Sequence, residues 1–158
     1  MSSDIASIVT AIARELLDHL DVAIEAIQVD PVPDSPDAFA VNLQVSPADS
    51  GILIGYHAET LSSLQLILSL MAHQQLKSWY HLTVNINDYR QNREATLTEM
   101  AHNAAQRVRL TGKEVVMPYL ESFERRLIHM ALSGEPDITT VSLGEGRDRR
   151  LVIRPQTA

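Results

Sequence analysis

Apolar residues open the chain at intervals of three or four: Ile5, Ile8, Val9, Ile12, Leu16 and Leu20. That spacing predicts an amphipathic helix, with Ser2, Ser3 and Asp4 as capping candidates. "VAIEAIQV" (22–29) reads as a strand, and the proline-rich "DPVPDSPD" (30–37) reads as turn chemistry. In 39–46 the period shortens to two, with Phe39, Val41, Leu43 and Val45 alternating with polar or small residues, as in a half-buried strand. A short helix is expected over 47–55, begun by Pro47 and ended at Gly55. The next segment, 58–76, carries Leu61, Leu64, Leu68 and Met71 on one stripe with further leucines beside it, hence a largely buried helix. Alternation returns in Tyr80, Leu82, Val84 and Ile86. Trp79 and Tyr80 open this strand and are read as packing residues.

The second half begins with a long polar helix over 90–112, closed by Gly112. A short "EVVM" segment precedes Pro118, which is expected to open a helix ending at Gly134. Two strands, "ITTVSLG" and "RRLVIRP", flank the turn residues "GEGRD" as a hairpin. Strands and helices do not alternate as βαβ units, so the expected class is α+β. The division is into two small domains, residues 1–89 and 90–158. The first has a three-stranded sheet with helices on one face, and the second a small sheet with two helices.

Charge sharpens that division. The net charge is −7, which by itself argues against nucleic acid. Residues 1–89, however, hold two basic and eleven acidic side chains, while 90–158 hold eleven basic and nine acidic ones. The halves therefore carry −9 and +2. Cysteine is absent, which removes disulfides and thiolate metal sites. The polar start, with Asp4 and Glu15, fits neither a signal peptide nor a membrane helix, and a cytoplasmic protein is expected.

The stretch "GILIGYHAETL" (51–61) places glycines at a sharp turn between paired helices. A glycine turn that opens a helix is either a phosphate cradle or only a tight bend. Helix–strand–strand–helix–turn–helix–strand around such a turn resembles the type II KH domain. "ERRLIHMAL" supplies Arg125 and His129, the arginine–histidine pair of the R-three-H domain, and "VSLGEGRDRRLVIRP" resembles that family's closing hairpin. The two in this order resemble the bacterial Jag/KhpB (SpoIIIJ-associated) RNA-binding family over nearly the whole chain. The resemblance implies single-stranded RNA, or single-stranded DNA, as ligand. It also implies a role in post-transcriptional control or envelope growth, and a small KH protein as a possible partner. No enzymatic activity, metal or cofactor is implied.

The KH loop normally runs Gly-x-x-Gly, whereas here it is Gly55-Tyr56-His57-Ala58. Ala58 is expected to place a methyl where the sugar–phosphate chain comes closest, and Glu59 adds a negative charge at the first helical turn. Tyr56 offers stacking, and His57 is a candidate imidazole contact. Two readings stay open for the loop: a weakened binding site, or a bend with Gly55 as a helix C-cap.

Arg125 and His129 carry the stronger expectation. Leu120, Phe123, Leu127 and Ala131 share one face of the expected helix. Arg125 then falls roughly 140° and His129 roughly 180° from Leu120, with Ser122 and Arg126 on the same outer side. Guanidinium groups pair with phosphate, and both planar groups stack on bases. Arg147, Arg149, Arg150 and Arg154 on the hairpin, with Lys113 and Arg109, are candidates to extend the patch. Glu121 and Glu124 are read as a solvated face.

Overall fold

The computed structural model describes residues 2–156. The chain divides into two compact units, the first ending at Arg90 and the second starting at Gln91.

In the first unit the order is α1 (Ser2–His19), β1 (Ile24–Val32), β2 (Ser35–Val45), α2 (Pro47–Ile54), a 3-10 turn (Tyr56–Ala58), α3 (Glu59–Leu76) and β3 (His81–Ile86). α1 already includes Ser2, so Ser3 and Asp4 lie in its first turn instead of ahead of it. There Asp4 complements the positive end of the helix dipole. β2 is the central strand, antiparallel to β1 and parallel to β3. A parallel pair needs a crossover, which α2, the turn and α3 provide. Phe39, Val41, Leu43 and Val45 point at α1 and α3 and close a core with Val9, Leu17, Leu61, Leu68 and Val84.

Three expectations for this unit change. The proline-rich 30–37 segment is mostly strand: Val32 already pairs with Ser35, and the turn is confined to Pro33 and Asp34. Pro31 is tolerated because β1 is an edge strand, where a missing N–H costs no ladder bond, and the register shifts beside it. α3 is also less buried than its leucines imply. Leu61, Leu64, Leu68 and Ala72 face the core, with Met71 half-buried, but Leu66, Ile67 and Leu70 are exposed. Trp79 does not open β3. It is exposed and stacks on His73, with centroids 3.9 Å apart and planes at 5°, while Tyr80 meets Phe39 edge-on.

α4 (Tyr89–Thr111) is followed by β4 (Val115–Val116), α5 (Ser122–Leu132), β5 (Ile138–Leu143), a 3-10 turn (Gly146–Asp148) and β6 (Arg150–Pro155). Arg90, in the first turn of α4, belongs to the first unit. Its Nε donates to the Val84 carbonyl at 2.9 Å, and burial lowers the guanidinium pKa. In the second unit the sheet is antiparallel, ordered β4–β6–β5. Its core joins Leu97, Ala101, Ala105 and Val108 of α4 to Ile128 and Leu132 of α5 and to Leu151 and Ile153 of β6.

α5 starts four residues later than Pro118 implies. The Glu121 N–H donates to Glu124 Oε2 at 2.9 Å, and the Glu121 carboxylate accepts from the Glu124 backbone, forming a reciprocal capping box. Proline suits any segment with φ near −65°, so it does not by itself place a helix start. With that shift the inward face becomes Glu124, Ile128 and Leu132, and Phe123 is 59% exposed. The expected stripe Leu120–Phe123–Leu127–Ala131 is therefore not the core face. Leu120 is buried, but it precedes the helix. Glu124 is not solvated either: it is 4% exposed and accepts a 2.8 Å charge-assisted bond from Arg93 Nε.

Candidate nucleic-acid interface

The glycine turn of the first unit is built around one backbone conformation. Gly55 caps α2 at φ 70°, ψ −175°, and its N–H donates to the Gly51 carbonyl. A Cβ at Gly55 would lie 2.8 Å from Thr60 Cβ and closer still to Thr60 Oγ1. Gly51, by contrast, sits inside α2 with open space around it and makes no turn. His57 (φ 49°) and Ala58 (φ 60°) are both left-handed, a conformation that histidine adopts more readily than alanine. Ala58 is partly buried and packs against the core of the unit. Ala58 is also the N-cap of α3 and makes no side-chain cap bond, so no side chain of that residue satisfies the first-turn N–H groups. Tyr56 is 78% exposed and meets the His57 ring edge-on at 4.1 Å.

One consequence is testable. In Ala58→Gly, about 1–2 kcal/mol of left-handed strain is relieved, while chain entropy and a part-buried methyl are lost, so its urea midpoint should stay near that of the parent. Ala58→Val puts a β-branched side chain at positive φ and should lower stability by about 2 kcal/mol in the same measurement.

The second unit presents an open groove of about 290 Å³ between α5 and the sheet. α5 contributes Ser122, Arg125, Arg126 and His129, β5 contributes Thr140 and Ser142, and Arg149 and Leu151 complete the lining. Arg125 is half-buried and anchored: Nη1 donates to the Leu120 carbonyl at 2.6 Å and Nη2 to Ser122 Oγ at 3.1 Å. That bond exists because α5 begins at Ser122, which leaves the Leu120 carbonyl outside the helix. His129 is exposed, with Nδ1 2.5 Å from Thr140 Oγ1 on β5, so Nε2 is the ring nitrogen left for a ligand. The groove can therefore offer planar cations and hydroxyl groups together.

The other arginines are placed differently. Arg109 is not part of this patch: it forms a charge-assisted fork with Asp137 and Glu135. The Asp137 bond is the first cause that raises its pKa and lowers that of Asp137. Arg150 lies over the Tyr119 ring, 5.5 Å from its centroid, and donates to the Arg147 carbonyl. Arg147 is exposed in the hairpin turn, and Lys113 is exposed after α4; neither lines the groove. Arg154 is half-buried on β6 opposite Thr139, with Nε buried and lacking a hydrogen-bond partner. Sequence reasoning missed Thr140 and Ser142, whose only signal was their two-residue spacing on β5. It also missed Tyr119, whose hydroxyl donates to Glu121 Oε1, a bond that raises the phenol pKa. Among the described residues, no group of three histidine or acidic side chains is arranged to hold a metal.

The family model of the KhpA/KhpB KH domain matches residues 6–84, and that of the R-three-H domain matches residues 95–155. The chain belongs to the KhpB family. Relatives named RNA-binding protein KhpB include that of Lactiplantibacillus plantarum, 32% identical over 142 residues, which cover 89% of this chain and 44% of the relative. The Clostridium symbiosum protein is 34% identical over 113 residues (72% and 51%), and the Bacillus subtilis protein 33% over 115 (72% and 55%). The chain thus spans about half the length of the curated relatives it matches. Its two small three-stranded sheets with their helices are the α+β architecture of a KH and an R-three-H domain. Within the KhpB family frame, the glycine turn falls inside the KH match, and the α5–β5 groove falls inside the R-three-H match. No described helix is long and apolar enough to cross a membrane.

Proposed function

We propose that this chain binds single-stranded RNA through the α5–β5 groove of its R-three-H domain and acts by binding, without enzymatic chemistry. The observation that carries the reading is the convergence of Arg125, Arg126, His129 and Arg149 on one open, hydroxyl-lined groove. Guanidinium groups neutralise phosphates, and the arginine planes and the imidazole stack on unpaired bases. The KH domain, 1–89, carries −9, so counterion release does not drive RNA onto it, and its loop contributes secondary contacts through Tyr56 and His57. The 90–158 domain supplies the affinity. A cytoplasmic post-transcriptional regulator fits this division of labour.

A salt titration tests the proposal. Changing Arg125, Arg126 and Arg149 together to alanine removes three cations, so the log-affinity versus log-salt slope for a single strand should shrink by about 2. Fluorescence anisotropy with a labelled oligoribonucleotide reads this directly, and an unchanged slope would place the RNA elsewhere. The same probe as single-stranded DNA separates the two ligands, because only RNA offers 2′-hydroxyls to Ser122, Thr140 and Ser142.

A second reading has its own observation. Leu66, Ile67 and Leu70 form an exposed apolar strip on α3 within the acidic unit. Such a strip suits a protein partner, a small KH protein among them, with RNA binding incidental. Under that reading Leu66→Lys abolishes partner capture and leaves the RNA salt slope unaltered.

A further inference from the structure

Next to the basic groove lies a second one that the arginine–histidine pair does not use. It is an open space of about 420 Å³ between α4 and α5, walled by Phe123, Leu127, Met130 and Ala131, with Glu94 on the opposite rim. Phe123 and Met130 are 59% and 62% exposed, a high fraction for large apolar side chains one or two turns apart on a helix. Arg126 lines both grooves, so the two adjoin at one arginine side chain.

We propose that this second groove is a nucleobase subsite. The strand whose backbone follows the basic groove passes Arg126, which neutralises the intervening phosphate, and turns one base into the apolar groove to stack on Phe123. This rests on the RNA-binding reading of the neighbouring groove. Single-strand recognition characteristically splays bases onto aromatic side chains while cations hold the backbone, and the two grooves supply those functions side by side. The thioether of Met130 adapts to the edge of a ring, as a flexible, polarizable side chain does. Glu94 decides what occupies the space. A carboxylate repels phosphate, so the backbone stays on the arginine side. It accepts a hydrogen bond from an exocyclic amino group, as carboxylates do from the N4 amino group of cytosine. Uracil presents carbonyl oxygens there and is disfavoured. The subsite therefore favours amino-bearing bases, cytosine in particular.

The test uses the full chain with labelled oligocytidine and oligouridine at fixed salt. The parent protein should prefer oligocytidine. Phe123→Ala should weaken oligocytidine binding by about ten-fold, with the salt slope unchanged, because stacking releases no counterions. Phe123→Tyr should bind like the parent, and Glu94→Ala should abolish the preference while retaining affinity. Phe123 is exposed, so its truncation should not unfold the domain. Should it do so, Glu94→Ala still decides the matter, since loss of the cytidine preference at retained affinity is expected only if Glu94 faces a bound base. If Phe123→Ala binds both probes normally while the triple arginine variant has lost its slope, the base subsite is overturned and the RNA reading stands. The groove would then suit an apolar protein segment. If the triple variant is also normal, the RNA reading falls and the subsite with it. A parent protein without cytidine preference overturns the role of Glu94.

Discussion

Gly55→Ala should destabilise the first unit by about 3 kcal/mol, because two independent costs fall on one methyl group. The first is conformational: φ 70° with ψ −175° is a region that only glycine occupies without strain. The second is steric. The new Cβ would stand 2.8 Å from Thr60 Cβ and nearer still to Oγ1. Thr60 is a short β-branched side chain at the start of α3 and has few rotamers with which to retreat. The chain has one tryptophan, Trp79, stacked on His73 in the same unit, so its fluorescence reports urea unfolding of that unit. Thr60→Ala in the same chain should recover only the Oγ1 share of the steric part, because Cβ at 2.8 Å remains, and should leave the conformational part. A Gly55→Ala midpoint equal to the parent's would mean that the turn rearranges freely and is not a rigid platform.

Arg93→Ala should cost the second unit about 2–3 kcal/mol, since it strands a buried carboxylate. Glu124 is 4% exposed, with Arg93 Nε 2.8 Å from Oε1 and the Glu121 N–H on Oε2. The figure sits below that for a fully buried pair because Arg93 keeps a quarter of its side chain in solvent, where screening weakens the interaction. The consequence reaches the groove. Glu124 holds the first turn of α5, and Arg125 hangs from the Leu120 carbonyl just ahead of that turn. RNA affinity should therefore fall although Arg93 does not line the groove. Glu124→Gln combined with Arg93→Ala should be milder than the sum of the two single changes, because the neutral amide still accepts from Glu121 and no charge is stranded. Circular dichroism melts of the four proteins measure the coupling, and strict additivity would mean that the pair is not a unit.

Local periodicity and turn chemistry were enough for most elements. The alternation Phe39–Val41–Leu43–Val45 places β2 because the side-chain period of a strand is two wherever the strand pairs. Pro47 and Gly55 bound α2 because proline suits a first helical turn and glycine a C-cap. The Arg125–His129 spacing was legible for the same reason: residues four apart share one side of a helix, whatever the helix packs against. The KhpB resemblance rested on these local patterns in order. The phase of α5 was not legible. Glu121 and Glu124 look like a solvated pair along the chain, and only Arg93, thirty-one residues away, makes Glu124 a core residue. A helix turns about 100° per residue, so that inward glutamate takes the place expected for Phe123, leaving the phenylalanine beside a groove.

Cation placement divided along the same line. The sequence by itself determined that arginine is concentrated in the second half, that a glycine turn opens α3, and that Arg125 and His129 lie one turn apart. Tertiary structure decided which cations converge. It engaged Arg109 with Asp137 and Glu135, laid Arg150 on Tyr119, and brought Arg126 and Arg149 beside Thr140 and Ser142. The physical reason is range. Helix and strand periods arise from bonds between near neighbours in the chain. Ion pairs, stacking and groove walls depend on distances between residues that only the packed core brings together.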